Sequence, residues 1–113
     1  MRSDVDRLHD ILDAIAAIQE DACTRQRFDD DKMLRVWCLH HIVIIGEAAA
    51  RISNATREQH PDLPWRRVIG MRNAVVHAYF QVDWEEVWNV VEHDLAPLRS
   101  AVVTILERLG AER

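Results

Sequence analysis

Apolar residues recur along this chain at helical spacing and nowhere at the strict two-residue alternation of a half-buried strand. That periodicity restricts the fold more than any other feature. Val5, Leu8, Leu12, Ile15 and Ile18 form one stripe and predict a first helix over about residues 3–23. "FDDDK" reads as the following turn, with Asp30 or Asp31 as N-cap of a second helix over about 32–53. This second helix is apolar on most sides (Met33, Leu34, Val36, Trp37, Leu39, Ile42, Val43, Ile44, Ile45), so it is expected at the centre or shared with a partner. Gly46 inside it suggests close backbone packing. Thr56 with Gln59 resembles a capping box and predicts one short helical turn in the connecting loop. Pro64 is placed to open a third main helix, carrying Trp65 to about Ala78. The last begins near Asp83, with a heptad-like seam of Trp84, Trp88, Val91, Leu95, Leu98, Val102, Ile105 and Leu109 that Pro97 should bend one turn upstream. No strand is expected, and the four tryptophans are expected mostly in the core. The fold class is all-α: one domain over residues 1–113, an antiparallel bundle of four main helices plus short turns.

At 113 residues and 49% hydrophobic composition, the chain can build one core without disulfides or structural metal. Cys23 and Cys38 lack CxxC spacing and read as reduced thiols. The N-terminus has no apolar signal core, and the most apolar stretch, Val36 to Ile52, is interrupted by His40, His41, Glu47 and Arg51. The sequence therefore predicts a cytoplasmic protein that does not enter the membrane. The net charge of −5 argues against non-specific duplex binding. Its distribution says more. Residues 1–31 hold nine acids and four bases, whereas residues 63–82 hold no acid and carry Arg66, Arg67, Arg72 and His77.

That cationic segment contains "GMRNAVVHAYF". On a continuous helix Asn73 and His77 share a face, while Arg72 is offset from His77 by about 140° and about 7.5 Å of rise. The residue types suit phosphodiester cleavage. An arginine fork holds a phosphate and stabilises added charge, a histidine moves a proton near neutrality, and an asparagine orients the imidazole or a hydroxyl. In RNA the adjacent 2′-hydroxyl supplies a nucleophile, so no metal is required. From spacing alone, however, a solvated Arg72 and a satisfied His77 are the commoner outcome. His40 and His41 point to different sides of their helix, so no metal site is expected. Glu47, an isolated carboxylate in an apolar helix, is expected to pair with an arginine such as Arg66 or Arg72.

"IGEAAARIS" followed by "HPDLPWRRVIGMRNAVVHAYFQVDWEEVW" resembles the HepT-like branch of the HEPN superfamily over nearly the whole chain. The branch motif, R-x4-H-x-Y, is met by Arg72, His77 and Tyr79, with Asn73 after the arginine. The resemblance implies a homodimer whose two motifs meet in an interface cleft. It implies a cofactor-free, metal-independent endoribonuclease acting as the toxin of a toxin–antitoxin pair. It also implies an MNT-type nucleotidyltransferase partner that silences the toxin by adding AMP to Tyr79. Arg72, His77 and Asn73 would be catalytic, and Arg66 and Arg67 would touch the RNA backbone. The rival readings are a non-catalytic module that binds a nucleotide or partner through the same motif, and a structural interaction protein built on the heptad seam.

Overall fold

The computed structural model describes residues 2–21, 24–77 and 81–110, and for residues 74–77 the backbone path alone. The described residues form seven α-helices in order: α1 (Asp4–Glu20), α2 (Arg25–Asp30), α3 (Lys32–Ala50), α4 (Asn54–Gln59), α5 (Trp65–Val75), α6 (Trp84–Asn89) and α7 (Leu95–Arg108). A π-helical turn (Val90–Asp94) joins α6 to α7, so these run on as one long element. The four main helices expected from periodicity are α1, α3, α5 and this last one.

α3 is the central element and packs against both α1 and α5. Asp31 caps it, its Oδ1 accepting from the backbone N–H of Met33 (3.0 Å) and Leu34 (3.2 Å). Leu34, Cys38, Ile42, Ile45, Ala48 and Ala49 are buried and meet Leu8, Ile11, Ile15 and Ile18 of α1. Two polar ties show that α1 and α3 are antiparallel. Trp37 near the start of α3 donates from Nε1 to the carbonyl of Ala17 near the end of α1 (3.0 Å). Beyond the end of α3, Ser53 donates its N–H (3.0 Å) and hydroxyl (2.6 Å) to the Asp4 carboxylate at the start of α1, joined by the Thr56 hydroxyl (2.6 Å). Burial pushes the Asp4 pKa up, but these hydrogen bonds outweigh it and leave the carboxyl below its ordinary value. By length and composition α3 could cross a membrane; its place between α1 and α5 is that of a core helix in a bundle.

Several local expectations are corrected. "FDD" does not turn. It ends α2, capped by Thr24, and the turn contracts to Asp31. Phe28 is buried against Trp84 and Trp88, and Arg25 pairs with Glu85 while lying over Trp88, so α2 is held by contacts from distant α6. The short helix after α3 exists, but its cap is Ser53 and not Thr56. The tryptophans ring the core instead of filling it: Trp65, Trp84 and Trp88 are half-buried, and Trp37 is 44% exposed. Trp65 does brace the entry to α5, donating from Nε1 to the carbonyl of His60 (3.0 Å). Cys38 is buried in the core, and Cys23 lies outside the described residues.

The heptad seam is interrupted. Upstream the buried line is Val87 and Val90; downstream it is Leu95, Leu98, Val102 and Ile105. The step of five from Val90 to Leu95 matches the i→i+5 geometry of a π turn, which re-aims the helix face. Pro97 has no N–H for the carbonyl four residues before it, so the break lies one turn ahead of it.

The largest departure is at the exit of α5. The helix stops at Val75, and Val76–His77 forms a short antiparallel ladder with Gln81–Val82, pairing Val76 with Val82 and His77 with Gln81. The expected continuation to Ala78 and the expectation of no strand are both overturned.

Candidate ribonuclease site

α5 starts behind Pro64, whose carbonyl accepts from the N–H of Val68 (3.0 Å), and it buries Val68 and Met71 against α3. The next helical face over is then presented outward, and it carries Arg72. Gly46 makes the approach of α3 close. A Cβ at that position would lie 3.4 Å from the carbonyl oxygen of Ile69, 3.6 Å from that of Val68 and 3.6 Å from Cβ of Arg72. Any larger side chain there would press into the α5 backbone beneath Arg72.

The close approach brings the residue after Gly46 to the site. Glu47 accepts through Oε1 from Nη1 of Arg72, as the isolated-carboxylate argument anticipated. Its Oε2 lies 4.0 Å from Nη1 of Arg51, the C-cap residue of α3. Arg72 is 45% and Glu47 36% exposed, so solvent reaches both. A pair this open contributes about 0.2–1 kcal/mol at most. Its main effect is orientation: a long, flexible guanidinium is held in one place at the surface. Arg72 also occupies the last turn of α5, where the helix dipole favours a cation.

The structure separates the remaining candidates. Asn73 is exposed and seven residues from exposed Arg66, hence on nearly the same face of α5. Arg67 points elsewhere and pairs with Asp94 of the π turn, at the edge of a groove of about 230 Å³ between α5 and α7 that Asp62, His93 and Pro97 also line. The helical relation between Asn73 and His77 does not hold, because His77 lies past the end of α5 on the paired strand. Tyr79 lies outside the described residues. Among the described residues no group of three or more His, Cys, Asp or Glu side chains could hold a metal ion. Arg51 was missed by sequence reasoning. The signal was its i+4 spacing from Glu47, legible once Glu47 was singled out as the odd carboxylate of α3.

Comparison with known proteins converges on one family. The family model described as Ribonuclease HepT-like matches residues 11–105. A protein named as a candidate RNase in Methanocaldococcus jannaschii is 33% identical over 97 residues, covering 84% of this chain and 89% of that one. The protein named probable ribonuclease HepT in Thermococcus cleftensis is 39% identical over 102 residues, covering 87% and 91%. A longer Methanocaldococcus jannaschii protein, named for a gamma-glutamylcyclotransferase and an RNase together, is 34% identical over all of this chain and 52% of its own length. No solved structure matches the chain. The all-α bundle and these matches agree: the chain belongs to the ribonuclease HepT-like family.

Proposed function

We propose that this protein is the toxin of a toxin–antitoxin pair, a metal-independent endoribonuclease that acts on RNA in the cytoplasm. The observation that carries this reading is the presentation of Arg72: a guanidinium held at the surface by Glu47, in an acid-free segment, five residues ahead of His77, in a chain of a ribonuclease family. Cleavage proceeds by attack of the RNA 2′-hydroxyl on the adjacent phosphorus. The P–O bond to the 5′-oxygen breaks, leaving a 2′,3′-cyclic phosphate and a free 5′-hydroxyl. His77 handles the proton at the 2′-hydroxyl or the leaving oxygen, and Arg72 stabilises the charge that builds on the phosphorane. Asn73 orients His77 or the substrate. Arg66, on the Asn73 face, follows the RNA backbone; Arg67 could contribute only by leaving Asp94.

Two copies act together in this reading. The outward face of α3 carries Met33 (74% exposed), Val36 and Trp37, and by helical spacing it runs on to Glu47 and Arg51, so a partner copy covering it would lie against the site. A nucleotidyltransferase antitoxin of the MNT type silences the toxin by adding AMP to Tyr79. The adduct would bring bulk and negative charge two residues from His77.

The test is induction of the wild-type chain, Arg72→Ala and His77→Ala in cells, with total RNA followed alongside growth. Growth arrest with RNA cleavage in the wild type alone supports the reading. Identical behaviour of all three, at equal expression and folding, would refute it and assign a non-catalytic binding module instead.

A further inference from the structure

Glu47 lies between two arginines and uses a different oxygen for each: Oε1 accepts from Arg72 of α5, and Oε2 faces Arg51 at 4.0 Å. All three side chains are open to solvent, and together they carry one net positive charge. Arg51 has no role in the mechanism above. We propose that Glu47 is a positioning residue that exchanges partners: incoming RNA phosphate displaces its carboxylate from Arg72, and the carboxylate moves to Arg51. The proposal rests on the ribonuclease reading and adds to it how Arg72 is presented and released.

Three features favour exchange over a static pair. A phosphodiester and a carboxylate compete for the same planar fork of Arg72, so the substrate cannot take both edges of the guanidinium while Glu47 keeps one. A displaced carboxylate with no new partner would repel the phosphate that displaced it. Arg51 removes that repulsion, and Glu47 and Arg51 stand in the favourable order, with the acid N-terminal at i,i+4 spacing between the last turn of α3 and its C-cap. Third, the Gly46 contact holds α3 against α5, so the carboxylate changes partners by side-chain rotation without movement of either helix.

The experiment measures binding of a single-stranded, fully 2′-O-methylated oligoribonucleotide, which a 2′-hydroxyl mechanism cannot cleave, across a range of salt. The variants are Glu47→Gln, Arg51→Ala and both together. Glu20→Gln, on the exposed end of α1 beside the opposite end of α3, controls for net charge alone. Glu47→Gln should tighten binding several-fold and steepen the salt dependence by about 0.7, the value for one more single-strand phosphate contact. On cleavable RNA it should lower both KM and kcat, because Arg72 is freed but no longer aimed. Arg51→Ala should weaken binding about fivefold or more, and should have almost no effect once Glu47 is Gln. Equal effects of Arg51→Ala in both backgrounds would overturn the exchange, making Arg51 a plain RNA contact. So would a Glu20→Gln protein that behaves like Glu47→Gln. A folded wild type that neither binds nor cleaves RNA would instead refute the ribonuclease reading, and the exchange with it.

Discussion

Gly46 offers the sharpest quantitative test of how α3 positions Arg72. Replacing it with Ala adds one Cβ at 3.4–3.6 Å from the Ile69 and Val68 carbonyl oxygens and Arg72 Cβ, which is contact distance and not overlap. The substitution also removes the helix penalty of glycine, about 1 kcal/mol. Gly46→Ala should therefore fold with stability equal to wild type or up to about 1 kcal/mol higher, and keep its RNA cleavage. Gly46→Leu has three further carbons and only the α5 backbone to put them against. Overpacking of this kind costs about 1–3 kcal/mol. It should also pull Arg72 off Glu47, so cleavage should fall further than the loss of folded protein explains. Urea denaturation with cleavage assays on both variants decides the matter. Loss of activity in Gly46→Ala, or full stability and activity in Gly46→Leu, would refute the packing argument.

Other expectations follow from single observations. A Cβ at Gly70 would meet nothing within 4 Å, so Gly70→Ala should stabilise the isolated chain by about 1 kcal/mol in urea denaturation; destabilisation would show that the space is not free. The Asp4 carboxyl is held below its ordinary value, so its contribution is present above the unfolded-state pKa, about 3.9, and is lost as pH falls through the lower folded value. Asp4→Asn should thus lose about 1 kcal/mol near neutral pH, after allowance for solvent exposure, and the gap to wild type should close at the acid end of a pH series of denaturation curves. Ile42 is fully buried in α3, and Ile42→Ala should cost about 2–5 kcal/mol by the same denaturation assay.

Much of the bundle was legible because its signals are local. Asp31 and Asp83 declare helix starts through their own side chains, Pro97 removes a specific N–H, and Gly46 and Glu47 are conspicuous in an otherwise apolar helix. The exit of α5 was not legible. After Val75 there is no glycine, asparagine or proline to announce an end, and the extended path of Val76 and His77 depends on pairing with Gln81 and Val82. A strand of two residues is too short for its alternation to register. The consequence fell on the site. Asn73 and His77 share a helix face only if the helix continues, and this one does not. Phe28 was hidden for a similar reason, since its burial comes from Trp84 and Trp88, more than fifty residues away. Sequence reasoning could offer Arg66 or Arg72 as the partner of Glu47, but only the fold selects Arg72 and sets Arg51 beyond.

The most direct test of the central claim is the product of the reaction. Purified chain, incubated with single-stranded RNA in excess chelator, should release fragments ending in 2′,3′-cyclic phosphate, and Arg72→Ala and His77→Ala should lose at least about 100-fold in rate while staying folded. Cleavage that stops with chelator, or that leaves 3′-hydroxyl ends, or that survives in both variants, would contradict the account.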